Sequence, residues 1–184
     1  MLEKEIKALI NEKVYNAILG EFEWDSSAEQ TNHYYISPNN ILKKYGITFR
    51  VRTINGINKL QIKKHISNEA SLQISEETER EIENVPNSFS KEYVKEMTGI
   101  EAPVARIGSL TTLRNSFMFT DGVEICLDKS EYLGITDYEI EVEYTSPIPD
   151  ELLDNLARLG VDFNKKPVGK FSRFIKKLSE INGL

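Results

Sequence analysis

Charged side chains recur at every second position in several short stretches of this chain, and most of these stretches carry one sign. Thr48, Arg50 and Arg52 alternate with Ile47, Phe49, Val51 and Thr53, and Lys59, Gln61, Lys63 and His65 alternate with Leu60 and Ile62. Farther on, Glu124, Cys126 and Asp128 alternate with Val123, Ile125 and Leu127. Asp137, Glu139, Glu141 and Glu143 alternate with Tyr138, Ile140, Val142 and Tyr144. Near the start, Glu3, Glu5 and Lys7 share one parity, although Lys4 interrupts the apolar face. Period two is the period of a strand. The ordinary reading is a half-buried sheet whose charged face meets water. Segregation by sign argues for more, because like charges two residues apart repel unless something balances them. If these faces line a barrel, the carboxylates can hold a divalent cation through oxygen ligands. The basic strands can then take phosphate oxygens, arginine bidentately and lysine as a point charge.

Other routes to catalysis are closed by composition. The only histidines are His33 and His65, and Cys126 is the one cysteine, so a His-rich zinc site and paired-cysteine motifs are excluded. No Gly-rich loop precedes Lys-Ser/Thr, and no Gly-x-Ser-x-Gly elbow occurs. A net charge of -6 argues against generic binding to nucleic acid or anionic lipid. With 40% apolar and 28% charged residues over 184 positions, the chain reads as one domain, 1–184, large enough to bury a core. No signal-peptide or membrane-spanning apolar run is visible, and a cytoplasmic protein is expected. A homodimer is compatible with the sequence.

The elements that must position these residues follow from turn and cap signals. Residues 2–9 read as a strand, and Asn11 as the N-cap of a helix carrying Val14, Tyr15, Ile18 and Leu19. Residues 21–30 read as an acidic loop, and 31–37 as a strand stopped by Pro38. A short helical turn runs to Gly46. Strands at 47–54 and 59–66 join through Asn55-Gly56, a hairpin signal. Residues 69–75 could add a strand, whereas 76–84 and 89–98 read as helical, which places Glu77, Glu79, Glu81 and Glu83 on a solvated helix face. Strands return at 103–119, broken near Gly108, then at 123–129 and 136–145, and two amphipathic helices close the chain. The expected class is α+β: a closed or nearly closed antiparallel barrel of about eight strands forming a tunnel, with helices packed outside.

The sequence also resembles the CYTH, or triphosphate tunnel metalloenzyme, superfamily. Glu3-Lys4-Glu5-Ile6-Lys7 matches its Glu-x-Glu-x-Lys signature, and Tyr34-Tyr35-Ile36-Ser37-Pro38 resembles its Tyr-Phe-Asp-Thr-Pro segment with Ile36 in place of Asp. Arg50-Val51-Arg52, Leu60-Gln61-Ile62-Lys63, Thr112-Leu113-Arg114, the two acidic strands and Gly169-Lys170-Phe171-Ser172-Arg173 resemble later family segments in order. Gly169 stands where the family has Ser. The resemblance implies that Glu3, Glu5, Asp128, Glu139 and Glu141 bind magnesium or manganese. It implies that Lys7, Arg50, Arg52, Lys63, Arg114 and Lys170 bind a triphosphate, with Glu5, Lys7 and Glu141 at the chemistry. Glu143 shares the acidic face at the rim, and Glu124 stands beside it. Arg106 has the parity of Arg114 but lies about 26 Å from it on a straight strand. Arg173, Lys176 and Lys177 read as the wet face of the last helix, Cys126 as filler and His65 as a strand-end residue.

The implied activity is metal-dependent hydrolysis of a terminal phosphoanhydride, with inorganic tripolyphosphate or a small organic triphosphate as substrate. Two other readings use the same tunnel. One is a class IV-type adenylate cyclase making cyclic AMP from ATP; such proteins usually carry a His-Phe pair before the signature, and none precedes it here. The other is a non-catalytic polyphosphate or nucleotide binder.

Overall fold

A computed structural model of the chain describes residues 2–69, 72–165 and 167–183, with the side chains of residues 2, 3 and 67–69 outside that description. The strands are β1 (Leu2–Ile10), β2 (Ser26–Ile36), β3 (Ile47–Ile54), β4 (Ile57–Glu69), β5 (Leu72–Ile82), β6 (Ser88–Phe89), β7 (Val104–Thr120), β8 (Val123–Tyr132) and β9 (Ile135–Tyr144). The helices are α1 (Glu12–Glu21), α2 (Ile41–Lys44), α3 (Lys91–Thr98), α4 (Asp150–Arg158) and α5 (Lys170–Ile181). Eight strands pair antiparallel in the order β2-β3-β4-β5-β1-β9-β8-β7, and a β2–β7 pairing closes the ring. The ninth strand, β6, pairs with β7 outside that closure. Closure leaves none of the eight with a free edge.

Local chemistry sets the joints. Asn55 and Gly56 both take positive φ, 50° and 78°, as a two-residue hairpin with right-twisted strands requires. The Asn11 side chain accepts from Val14 N and caps α1. The barrel is polar around its cavity and apolar on its outer face, so α1 to α4 supply the hydrophobic cover there, whereas α5 packs on inward-facing residues. Tyr15 and Ile18 of α1 and Leu152 and Leu156 of α4 bury against Ala8, Ile125, Ile140 and Val142. Each such side chain contributes about 1.5–3 kcal/mol when fully buried. Leu42 of α2 and Val94 of α3 cover Phe49, Val51, Leu60 and Ile62. The third cluster belongs to α5, whose Phe174 packs with Tyr34, Leu110 and Tyr132. Among the described residues, no helix is long and apolar enough to cross a membrane.

Three expectations need correction. Residues 26–30 are the first half of β2 rather than loop. Residues 76–82 are strand, not helix: they complete β5, and Lys59↔Glu81, Gln61↔Glu79 and Lys63↔Glu77 stand opposite one another across the β4–β5 ladder. Cross-strand charge pairing outweighs the helix propensity of a Glu-rich run. Finally, Gly108 does not break β7, which runs unbroken through it. Gly108 has φ 147°, and a Cβ there would lie 2.8 Å from Phe174 Cζ, so glycine lets α5 approach the strand.

Candidate functional site

The lumen holds a cavity of about 230 Å³. Strand parity decides what faces it. β3 sends Thr48, Arg50 and Arg52 inward, β4 Lys63 and His65, β1 Glu5 and Lys7, β7 Arg114, and β9 Glu141 and Glu143. Gly169, Lys170, Phe171 and Ser172, at the start of α5, complete one side of the wall. In the ring of eight, β9 lies four strands from β3 in either direction, so the glutamates of β9 and the arginines of β3 stand on opposite sides.

The acidic side is a dense ion-pair network. Arg114 forks onto Asp128, Nε to Oδ1 at 2.8 Å and Nη2 to Oδ2 at 2.7 Å. It also bonds Glu141 and reaches Glu143 at 3.3 Å. Lys170 Nζ lies 2.8 Å from Asp128 and 2.7 Å from Glu141, and bonds Glu139 as well. Lys7 donates to Glu5 at 2.8 Å, and Lys63 lies 3.5 Å from Glu5 and 3.3 Å from Glu77. Burial works to raise the Glu141 carboxyl, but Lys170, Arg114 and Lys7 together hold it well below the usual carboxylate range. Asp128 is likewise lowered, burial being overcome by Arg114 and Lys170. For Glu139 burial wins and its carboxyl is raised, despite Lys170.

Two groups of three carboxylates have oxygens within 4.8 Å of one another: Glu5, Glu141 and Glu143, and Asp128, Glu139 and Glu141. The first group lines the cavity; Asp128 and Glu139, 0% and 1% exposed, lie behind it. An all-oxygen, anionic donor set suits a hard divalent cation. Cys126 is buried, and burial pushes its thiol up.

On the opposite wall, Arg50 and Arg52 take neutral amides as hydrogen-bond partners. Arg50 Nε donates to Gln61 Oε1 at 3.0 Å, and Arg52 Nε to Asn32 Oδ1 at 3.0 Å. The hydrogen bonds of both guanidinium Nε atoms go to amides, and the charge of Glu77 acts on Arg52. Burial, then Arg50 and Arg114, push Arg52 down to about 9, so it is still charged at neutral pH. Neutral amides thus fix the Nε edges, and among the described residues no ion pair to a carboxylate holds the terminal nitrogens.

Of the residues singled out in sequence, Glu5, Lys7, Arg50, Arg52, Lys63, Arg114, Glu141 and Lys170 line the cavity together. Asp128 and Glu139 reach it only through Arg114 and Lys170. The side chain of Glu3 lies outside the described residues. Glu143 lines the cavity, and so does His65, which is more than a strand end. Arg106 does not: a bulge opposite Tyr34 and Tyr35 shifts the register, and Arg106 bonds Asn87 on the outside. Arg173 is not on a wet face, since its Nε donates to Asp137 and its Nη1 to Glu139 at 2.8 and 2.7 Å. The sequence reading missed Gln30, Asn32 and Tyr34 of β2, and it set Glu77 of β5 on a helix with Glu79, Glu81 and Glu83 without choosing which of the four reaches the tunnel. Gln30, Asn32, Tyr34 and Glu77 all stand in the cavity wall. Their signal was present as period-two spacing, in Gln30, Asn32 and Tyr34, and in glutamates at the spacing of Lys59, Gln61 and Lys63.

Comparison with known proteins bears on the family and the fold. The family model of the CYTH domain matches residues 1–175. YjbK of Bacillus subtilis (strain 168), provisionally named a triphosphatase, is 28% identical over 147 residues, 77% of this chain and 77% of its own. The structure of HpAC1 from Hippeastrum, a provisionally named adenylyl cyclase with a dominant triphosphatase activity, shares the fold at a TM-score of 0.75 with 22% identity, covering 95% of each chain. A provisionally named adenylate cyclase of Bacillus halodurans superposes at 0.68 with 26% identity, covering 92% of this chain and 95% of its own.

Proposed function

The chain belongs to the CYTH domain family, and on that footing we propose that it hydrolyses the terminal phosphoanhydride of a triphosphate held in the barrel lumen. The observation that carries this reading is the division of the lumen. Arg50 and Arg52 face the cavity with amides as partners and, among the described residues, no ion-paired carboxylate, across from a surplus of converging carboxylates. A ligand that satisfies both sides brings anionic oxygens to β3 and accepts a cation on β9. YjbK and HpAC1, with their triphosphatase names, support the same class.

Glu5, Glu141 and Glu143 would hold magnesium or manganese at the cavity, with Asp128, Glu139 and, by resemblance, Glu3 completing the acidic set. When bound, such an ion neutralises phosphate charge and polarises a phosphoryl oxygen. The chain's own groups do the rest. Arg50 and Arg52 grip the phosphate chain, and Lys7, Lys63, Arg114 and Lys170 ring it and stabilise the charge that develops on the leaving diphosphate. Glu5 orients the attacking water and takes its proton. The water oxygen bonds to the terminal phosphorus, the bridging P–O bond breaks, and diphosphate leaves. The cavity is compact and its recognised residues read phosphate, so we assign inorganic tripolyphosphate or a small organic triphosphate as substrate. We propose a reducing, cytoplasmic location, with which a chain carrying a single cysteine is compatible.

The test is phosphate release across a panel of triphosphates with magnesium or manganese. Glu5→Gln and Arg52→Ala are each expected to lower kcat/KM by about 100-fold or more. Unchanged activity in both variants refutes the site. The Bacillus halodurans likeness makes a cyclase the second reading; cyclic AMP and diphosphate from ATP, in place of phosphate, would establish it.

A further inference from the structure

Two donors in the lumen wall are left unused by the charged groups. Tyr34 Oη and Asn32 Nδ2 have no hydrogen-bond partner among the described residues, although each residue is only 1% exposed. Both side chains line the cavity. An unpaired buried donor costs about 1–3 kcal/mol, so a protein that keeps two has a use for them. Their aim is fixed. Arg52 Nε donates to Asn32 Oδ1, which commits the amide oxygen and leaves its nitrogen to face elsewhere. The Tyr34 ring packs against Phe171 and Phe174, with centroids 5.1 and 5.3 Å away. The charges that act most on the Tyr34 hydroxyl are positive: Arg50, Lys170, Arg52 and Arg173. A group received there is therefore an acceptor and an anion.

We infer that Asn32 and Tyr34 are substrate contacts, a pair of neutral donors on β2 that take phosphoryl oxygens beside Arg50 and Arg52. The inference rests on the triphosphate reading and deepens it. Neutral donors add hydrogen bonds to the phosphate chain without adding charge that the free protein would have to balance. The free protein holds the cost of the unmade bonds, and the ligand relieves it.

That relief sets the test, with tripolyphosphate as the probe. Its dissociation constant is measured by calorimetry in magnesium, and Tm is measured without ligand, for wild type, Tyr34→Phe and Asn32→Asp. Tyr34→Phe removes only the hydroxyl; it is expected to weaken binding about tenfold or more while Tm stays level or rises. Asn32→Asp keeps an acceptor for Arg52 Nε and replaces the donor by an anionic oxygen. It is expected to weaken binding further, with a higher Tm from the new ion pair. Wild-type affinity in both variants, or a fall in Tm that tracks the loss of affinity, overturns the inference. Failure of the wild type itself to bind tripolyphosphate or any other triphosphate overturns the triphosphate reading, and this inference with it.

Discussion

Lys170→Met removes the ammonium on which the buried acidic group depends. Nζ lies 2.8 Å from Asp128 and 2.7 Å from Glu141, and bonds Glu139. All three carboxylates are buried. Without Lys170, Arg114, Arg173 and Lys7 are left to balance them; Arg173 also serves Asp137, and Lys7 lies 3.9 Å from Glu141. Removing one partner from a buried ion pair costs about 3–5 kcal/mol. At about 2–4 °C per kcal/mol for a chain of this size, Tm falls by about 6–20 °C in chelator. The same change should improve cation binding, because three carboxylates with oxygens within 4.8 Å of one another lose a competing positive charge. Magnesium or manganese at about 100 times its dissociation constant returns about 2.7 kcal/mol. The assay is thermal denaturation with chelator and with added metal. A variant as stable as wild type in chelator refutes the energetic reasoning. Equal metal responses in the two proteins refute the competition between Lys170 and a cation. Lys170→Arg, which keeps the charge, should keep most of the stability.

Two further outcomes concern the scaffold. Gly108→Ala combines a positive φ with a Cβ 2.8 Å from Phe174 Cζ, so it should cost about 2–5 kcal/mol, read as a lower urea midpoint; an unchanged midpoint refutes the close approach. Burial raises Tyr35 to about 12, and burial together with the Asp137 bond raises Tyr132 to about 12. A raised folded value means that this stability is full below the unfolded pKa of about 10 and is lost as pH climbs toward about 12. Urea stability should decline across that window and decline less in Tyr35→Phe and Tyr132→Phe; phenolate absorbance showing every tyrosine of the folded protein ionising near 10 would refute it.

The parts of this protein that could be read in sequence are those governed by local rules. Over residues 47–52, 59–63, 123–128 and 137–144 polar and apolar residues alternate, so parity alone sorts Arg50, Arg52, Lys63, Asp128, Glu139 and Glu141 onto the inner face. Asn55-Gly56 and Asn11 have conformational and capping preferences that need no partner to be recognised. The misreadings share a different cause. Residues 76–82 favour helix by composition, and only their alignment with β4 reveals the charge ladder that makes them strand. Arg106 keeps the parity of Arg114 in sequence, yet one bulge turns it outward. Arg173 sits on a helix face whose surroundings, Asp137 and Glu139, are set by where α5 docks. Register, bulges and docking are tertiary facts, and strand parity is silent on them.

The inverted polarity of the barrel also bears on how its ligands must bind. An ordinary barrel of this size fills its interior with apolar side chains. Here the interior carries ion pairs, and the helices outside provide the hydrophobic stabilisation that makes such an interior affordable. The pairs are distributed unevenly: carboxylates on β1, β8 and β9 share Lys7, Arg114 and Lys170, while Arg50 and Arg52 have amides for partners. A triphosphate entering alone would satisfy β3 but meet the glutamates of β9. A cation entering alone would meet Lys170 and Arg114 already seated among its ligands. Each ligand relieves the repulsion that opposes the other, so on the proposed reading their affinities are coupled, and by linkage each must raise the other's by the same factor.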